Sequence, residues 1–462
     1  MGCVPPTLVE AVRAGGGNRA DRRALPIGGW LLLLLLAFTT ATVFVREAWA
    51  LVSFQMGVYA LLAVWLLVLA WRRAEAVEFS LTAVLVCCIP LWGILQIAAG
   101  LTSSVAATRE AVLRWGALAA VFFLAMIAGR RRDARQTFLG VFLCFATALA
   151  VLCLMQLFTS QGRVLWSFPT GYDEVFGTFQ YHNNYAQFVE LALPIALWRA
   201  LRDRHRSFWY AFAGGILYAS MIGSASRSGT LLCTVELLAM LVIGLVRLRD
   251  PETGLPARAT SAMLLVVPAL AVALTLIVGW EHVWQRFQQE DPFQGRREFL
   301  EAALRMARDR PLSGHGLGTF PDVYQRFAVR DFPFYANHAH NDWAEFAADG
   351  GIPFLLLVLI PFAVAVPAAF RHPWALGLVV VMVHAFVDYP FPRPAVSGWM
   401  FALLGLIYAT RHPARSLIAG EVNPVSRGVT AAQSTGLNPS SPRVPASDNE
   451  GKHKKRTTES RQ

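Results

Sequence analysis

Runs of about 20 consecutive apolar residues recur along most of the chain, and no other feature restricts the possible folds as strongly. A helix of that length crosses the hydrocarbon core of a bilayer and satisfies its backbone hydrogen bonds internally. The pattern therefore predicts an all-α polytopic membrane protein with about 12 transmembrane helices. The predicted spans are residues 27–45, 50–71, 79–100, 111–129, 138–158, 183–200, 208–224, 228–248, 261–280, 352–370, 373–389 and 396–411.

The positive charge of the chain lies between these spans and in the C-terminal tail. Only 15% of the residues are charged, yet the formal net charge is +11. Loops rich in Lys and Arg alternate with poorer ones, and cytoplasmic loops are the ones that accumulate positive charge. Both termini are therefore predicted to be cytoplasmic, and no nucleic-acid partner is expected. The basic segments are residues 19–23, 72–73, 129–135, 199–206, 247–258, Arg371 and the tail.

The first and last predicted spans divide the chain into three parts. Residues 1–26 form a cytoplasmic N-terminal segment, residues 27–411 a membrane domain, and residues 412–462 a cytoplasmic tail. The tail is rich in Ser, Pro, Asn and Lys and is predicted to be disordered. A large loop, residues 281–351, separates the ninth and tenth spans on the periplasmic side, and a shorter loop, residues 159–184, lies on the same side.

The six cysteines give no sign of a metal or disulfide framework. Five lie inside apolar segments, Cys3 precedes the first span, and no CxxC pair is present. We expect buried thiols, no metal site and no cofactor.

The stretch "NHAHNDWAEFAADGG" (337–351) is unusually polar for a segment that leads directly into a span. Asp342 and Glu345 have the spacing of an acidic capping box, which predicts a helix from about Trp343. His340 then lies just ahead of a helix N-terminus, where the positive end of the dipole favours a neutral imidazole. A neutral imidazole suits a general base, and the same N-terminus attracts anions such as phosphate.

Arginines on the same predicted side supply positive charge. Arg227 lies in a turn of small residues, "GSASRSGT", where the alternative is a side chain that reaches out to lipid phosphates. Arg296 and Arg297 open an amphipathic stretch that presents Phe299 and Met306 on one face, and that stretch is also compatible with a merely solvated helix. A base beside arginines suits a pyrophosphate leaving group, because guanidinium groups neutralise it as a divalent metal would. The chemistry favours a polyprenyl-pyrophosphate-linked sugar as substrate.

Five motifs in this order resemble the O-antigen ligase and polymerase family of bacterial membrane glycosyltransferases. The similarity covers about residues 170–395. The motifs are "GTFQYHNNYAQFVELALPIAL" (177–197), "SASRSG" (224–229), "GRREFLEAALRMARDRPLSGHGLGTF" (295–320), "HAHNDWAEFAADGGIPFLLL" (338–357) and "HAFVDYPFPRPA" (384–395).

The resemblance implies a metal-independent transfer with inversion at the anomeric carbon. It implies that Arg227 and Arg296 bind the pyrophosphate of an undecaprenyl-linked glycan and that His340 activates the acceptor hydroxyl. His182 is a second candidate base, and Arg297 is an alternative to Arg296. The residues expected to bind substrate are Arg297, Asn184, His182, His338, Asn341, Asp342 and Asp388.

The family further implies a multi-pass protein of the bacterial inner membrane whose site faces the periplasm. Its partners would be the glycan donor, a lipid A-core or glycan acceptor, and membrane lipids, with a lateral opening for the polyprenyl tail. A polymerase with a polyprenyl-linked acceptor, or a protein-glycosylating relative, would share this chemistry. A twelve-helix transporter is the alternative of a different class, because Glu190 and Glu236 lie inside predicted spans.

Overall fold

The computed structural model describes residues 25–71, 81–169, 176–248, 257–278, 294–328 and 336–411. The predicted cytoplasmic N-terminal segment lies almost entirely outside these residues, and the predicted disordered tail lies outside them completely. So do residues 279–293 and 329–335 of the large loop. Nothing in the described structure therefore bears on those two terminal predictions.

Within the described residues all regular structure is helical, as predicted, apart from two isolated β-bridges at Val164–Phe168 and Phe176–Phe179. Two 3₁₀ turns, Tyr324–Arg326 and Pro373–Ala375, supplement the α-helices. The α-helices are α1 (Ile27–Ala41), α2 (Ala48–Trp71), α3 (Leu81–Ala98), α4 (Val105–Ala128), α5 (Arg132–Thr159), α6 (His182–Arg202), α7 (Ser207–Gly223), α8 (Arg227–Leu248), α9 (Ala257–Val278), α10 (Gln294–Asp309), α11 (Phe320–Val323), α12 (Asp342–Ala363), α13 (Ala365–Arg371), α14 (Leu376–His384) and α15 (Pro394–Arg411).

Each of the twelve predicted spans overlaps at least one of these helices. Span 352–370 overlaps both α12 and α13, and the α-helix within span 373–389 is the nine-residue α14. Six helical stretches of the described chain are long and apolar enough to cross a membrane: α2, α3, α4, α5, α8 and the continuous stretch Asp342–Arg371. These are the features of a multi-pass membrane protein. The total of twelve crossings and the orientation stay predictions.

The interior of the bundle is built around α6 and α15. All α6 residues from Asn183 to Trp198 are buried. Trp399 of α15 stacks on Phe142 of α5 with ring centroids 4.1 Å apart. By contrast, only three residues of α2 are buried, so most of its apolar surface faces outward. An apolar surface of that size suits contact with lipid rather than with water.

Helix α12 differs from the predicted tenth span because it begins at Asp342, ten residues before residue 352. The predicted capping box, with a helix from Trp343, is displaced by one residue: the N-cap is Asn341, whose side chain accepts from the backbone N–H of Ala344 at 3.0 Å. Gly351, at φ 73° and ψ 176°, separates a polar first half from an apolar second half. The site-bearing stretch and the predicted span are therefore two halves of one bent element.

Helix α10 of the large loop covers the polar half of α12. Phe299, Ala303 and Met306 are buried, as the amphipathic pattern predicts, and they form a small core with Ala344 and Ala348 of α12. This core is separate from the one inside the bundle. The loop therefore forms a packed cap over the start of α12.

The glycine-rich turn after α10 fastens this cap. The backbone N–H groups of His315 and Gly316 donate to the carbonyls of Ala348 and Asp349 at 3.0 and 2.8 Å. Gly314 has a φ of +65°, and a Cβ there would meet the Asp349 carbonyl oxygen at 2.2 Å. Close contact between backbones therefore explains the glycine at position 314.

Candidate active site

The carboxylate of Asp388 lies at the centre of a cluster of polar side chains near the start of α6. Its side chain is fully buried in the turn between α14 and α15. The Tyr181 hydroxyl donates to Oδ2 at 3.1 Å, and the Asn183 amide donates to the same oxygen. Nη2 of Arg296 lies 3.9 Å from Oδ2. The start of α6, the start of α10 and the α14–α15 turn therefore meet at one carboxylate.

Arg296 is held on one side by protein groups. Nη2 donates to the Tyr181 hydroxyl at 2.7 Å, and Nη1 donates to the Val387 carbonyl at 3.0 Å. Its side chain is 24% exposed. The guanidinium is thus oriented by neighbours while part of it stays accessible, whereas the adjacent Arg297 is an exposed residue.

His340 faces the other oxygen of Asp388. Its Nδ1 lies 3.6 Å from Oδ1, just beyond hydrogen-bond distance, and its side chain is 23% exposed. The ring packs edge-on against Tyr389, with centroids 4.9 Å apart. With Nδ1 turned toward the carboxylate, Nε2 lies on the opposite side of the imidazole. His340 has a φ of +53°, an uncommon conformation outside glycine that packing around the ring must maintain.

Asp388 stays ionised across the physiological range. Burial alone would raise the pKa of its carboxyl group, but the adjacent His340 imidazole and Arg296 guanidinium outweigh burial and lower the pKa to about 2. A permanent negative charge therefore faces both the candidate base and the candidate anion-binding arginine.

The charges of Asp388 and Arg296 also act on Tyr181 and His182. Burial, and then the charge of Asp388, raise the pKa of the Tyr181 hydroxyl, with Arg296 opposing them, so the hydroxyl keeps its proton. Burial lowers the pKa of His182. Asp388 opposes that change, whereas Arg296 and Arg227 add to it. The Arg227 guanidinium is therefore near enough to His182 to act on its charge, and a role for Arg227 in the site stays a prediction.

The turn that carries Arg227 is tied to Asp388 through a single amide. Arg227 is the first residue of α8. The hydroxyl of the preceding residue, Ser226, donates to Oδ1 of Asn183 at 2.7 Å, and Asn183 in turn donates to Asp388. Ser226 and Asn183 are both buried. The start of α8 is therefore fixed relative to the carboxylate.

Glu345 holds the chain segment that immediately precedes His340. Its Oε1 lies 3.0 Å from Nδ1 of His338, and its Oε2 accepts from the backbone N–H of Ala339 at 2.7 Å. His338 also stacks on Tyr389 with centroids 4.5 Å apart. The carboxylate predicted to cap α12 instead holds the two residues that precede His340.

Three residues predicted to bind substrate make internal contacts. Asn341 donates to the Phe386 carbonyl at 2.9 Å besides capping α12. Asp342 is fully buried and accepts from the Phe391 N–H at 3.0 Å. Asn184 donates to Gln187 at 2.9 Å, so its neighbour Asn183 is the amide that reaches Asp388. Direct roles for these three residues in substrate binding stay predictions.

The sequence-based selection of site residues did not include Tyr181, Asn183, Glu345 and Tyr389. Three of them carried a signal, because Tyr181, Asn183 and Tyr389 are direct neighbours of the selected His182, Asn184 and Asp388. Among the described residues, no group of three or more His, Cys, Asp or Glu side chains is placed to hold a metal ion. Metal independence of the reaction itself stays a prediction.

Residues 211–359 match the model of the O-antigen ligase family. This part of the chain, about a third of its length, is similar to the O-antigen ligase family. The O-antigen ligase segment contains Arg227, Arg296 and His340, and it ends before Asp388. The match confirms the resemblance predicted from the motifs and supports an activity of the membrane glycosyltransferase type. No curated protein matches the chain.

Proposed function

We propose that the protein is a metal-independent, inverting glycosyltransferase of the O-antigen ligase type. It would move a glycan from undecaprenyl pyrophosphate to a hydroxyl of lipid A-core or of another surface glycan, at the periplasmic face of the bacterial inner membrane. The observation that carries this proposal is the convergence of His340 and Arg296 on the buried carboxylate of Asp388.

His340 is the proposed general base. With Nδ1 turned toward the ionised Asp388, Nε2 accepts the proton of the acceptor hydroxyl while the oxygen of that hydroxyl attacks the anomeric carbon. Asp388 stabilises the imidazolium that forms, as a buried carboxylate does for a catalytic histidine in other transferases and hydrolases. Asp388 is thus a positioning residue rather than the substrate-binding residue expected from the motif, since its side chain is fully buried.

Arg296 and Arg227 are the proposed leaving-group residues. The bond between the anomeric carbon and the pyrophosphate oxygen breaks as the acceptor bond forms, and its electron pair leaves with the pyrophosphate. Positive charge already oriented toward that position stabilises the departing anion without further reorganisation. The bonds from Arg296 to Tyr181 and Val387 supply this orientation and support Arg296 rather than Arg297 as the essential loop arginine.

The distribution of basic residues supports a periplasmic site. The last turn of α6 carries Arg199 and Arg202, at the end of the helix opposite to Asn183. Cytoplasmic ends are the ones that accumulate such residues. Asp388 therefore lies at the end of the bundle that the charge rule assigns to the periplasm.

The test uses purified protein in lipid vesicles with an undecaprenyl-pyrophosphate glycan, with and without lipid A-core. Transfer to lipid A-core is the expected result, and His340→Ala should slow it by about 10²- to 10⁴-fold, the usual contribution of a general base. His205→Ala is the matched control, because His205 is an exposed residue at the other end of α6.

Three outcomes would change the proposal. Full activity of His340→Ala would remove the proposed base. Longer polyprenyl-linked chains formed without lipid A-core would identify the polymerase alternative. Absence of product under both conditions would contradict the transferase proposal and favour the transporter alternative.

A further inference from the structure

A second polar cluster lies deeper in the bundle, on the face of α6 that carries Asn183. Glu190 follows Asn183 by seven residues, or two helical turns, about 10 Å along the axis. Its Oε1 lies 2.7 Å from Nδ1 of His384, the last residue of α14. Both side chains are fully inaccessible to solvent. Neither residue has a part in the proposed reaction.

His384 and Asp388 belong to the same short segment. Asp388 follows His384 by four residues, and the Val387 N–H donates to the His384 carbonyl at 2.9 Å, so the chain continues as a tight turn. Helix α6 is therefore hydrogen-bonded to this segment at two points: Asn183 contacts Asp388, and Glu190 contacts His384. Two attachment points set both the depth and the rotation of the turn, which one point alone would not do.

The flanks of this turn are attached elsewhere. The Asn341 amide donates to the Phe386 carbonyl, and Arg296 donates to the Val387 carbonyl. The Asp342 N–H donates to the Ala385 carbonyl at 3.0 Å. These bonds come from the cap and from the segment that carries His340. The bonds to α6 connect the turn to the buried centre of the bundle.

The contact between Glu190 and His384 carries a free-energy cost. Burying a carboxylate and an imidazole costs desolvation that packed apolar side chains would avoid. Among the described residues, His384 Nε2 and Glu190 Oε2 have no hydrogen-bond partner. The charged groups that act on the pair are Asp388 and Arg296 of α10. The need to fix the position of the turn that carries Asp388 would account for such a contact.

We propose that Glu190 and His384 are positioning residues that set the location of the Asp388 carboxylate, and through it the orientation of His340 and Arg296. This inference rests on the proposed function only for its catalytic consequence. The geometric part, that His340 is held in place through Glu190, concerns the fold itself.

The catalytic test compares Glu190→Ala, His384→Ala and the double variant. Each single change should lower kcat about 10- to 100-fold with little change in KM for the donor, as is usual for residues that orient catalytic groups. The double variant should be no slower than the worse single variant, because the two residues act as one unit. Glu190→Gln, which keeps a hydrogen-bond acceptor for His384, should recover most of the activity.

Glu236→Gln is the matched control. Glu236 is as fully buried as Glu190, and both of its oxygens are without a hydrogen-bond partner among the described residues. Its loss removes a buried carboxyl group without touching the turn. Transfer by this variant should stay within about twofold of the unaltered protein, in line with a residue outside the coupled unit.

A second readout does not depend on transfer. The rate at which diethyl pyrocarbonate modifies His340, followed by mass spectrometry at neutral pH, should rise in Glu190→Ala and in Asp388→Asn. It should not change in Glu236→Gln. If the reactivity of His340 is unchanged in Glu190→Ala, or if Glu236→Gln matches Glu190→Ala in both assays, the positioning role is wrong. If reactivity responds as expected while the unaltered protein transfers no glycan, the proposed function fails and the positioning role stands.

Discussion

At the scale of single residues, Asp388 is the side chain that the other candidate site residues surround. It is fully buried, receives hydrogen bonds from Tyr181 and Asn183, and faces both His340 and Arg296. In the proposed reaction the buried carboxylate does not bind substrate itself; it keeps a negative charge beside the imidazole that becomes positive.

Asp388→Asn tests this charge through stability and rate. A folded-state pKa of about 2, against an ordinary value of 3.8, means that the folded protein binds fewer protons than the unfolded chain. The charge thus contributes about 2 kcal/mol to the free energy of unfolding above about pH 4, and that contribution disappears as the pH falls through about 2. The variant should therefore be less stable than the unaltered protein at pH 7.

Thermal unfolding in detergent micelles, measured at pH 7 and near pH 3, checks this expectation. The difference between the two proteins should shrink at the lower pH. Asp309→Asn is the control, because the Asp309 side chain is 51% exposed. Equal stability at pH 7, or a difference that grows on acidification, would contradict the assigned role of the carboxylate.

At the scale of elements, the helices could be predicted from the sequence, and the contacts between them could not. The length of each apolar run limits where a helix can cross lipid, and every predicted span overlaps at least one helix. The helix predicted from about Trp343 forms the first half of α12, but the burial of its polar residues by α10, which is distant in sequence, could not be predicted. Asn183 was missed for a similar reason: only the position of Asp388 decides which of two adjacent amides faces the site.

Gly351 is the element-scale feature with the clearest test. Its φ of 73° and ψ of 176° lie in a region that essentially only glycine occupies. An added Cβ would also meet the backbone carbonyl of Leu312 at 2.7 Å. Gly351→Ala should lower the free energy of unfolding by about 2 kcal/mol or more, and it should reduce transfer because the polar half of α12 carries Glu345.

Gly28→Ala is the control for that variant. Gly28 lies in the first turn of α1, and a Cβ there meets no atom within 4 Å. Alanine should be neutral or slightly stabilising in that helix. Thermal unfolding of both variants gives the comparison, and similar stabilities would show that the bend in α12 is not a constraint.

At the scale of the whole molecule, the proposed function requires one orientation in the membrane. Fluorescent-protein fusions after residue 204 or 411 should fluoresce, because both positions belong to the predicted cytoplasmic side. Alkaline phosphatase fused after Ser160, which follows α5 on the side of Asp388, should be active. The reverse pattern would place the site in the cytoplasm and overturn the proposed periplasmic transfer.

Helix α6 adds a consequence for how the protein is made. It carries the amides of Asn183, Asn184 and Gln187 and the carboxyl group of Glu190, and it contacts α5, α7, α8, α9, α14 and α15. It is absent from the described helices that are apolar enough to cross a membrane unaided. The insertion machinery disfavours a charged side chain near the middle of a segment by about 2.5–3.5 kcal/mol. We therefore expect α6 to be stably integrated only once the helices that follow it and pack against it, α7, α8, α9, α14 and α15, are in place.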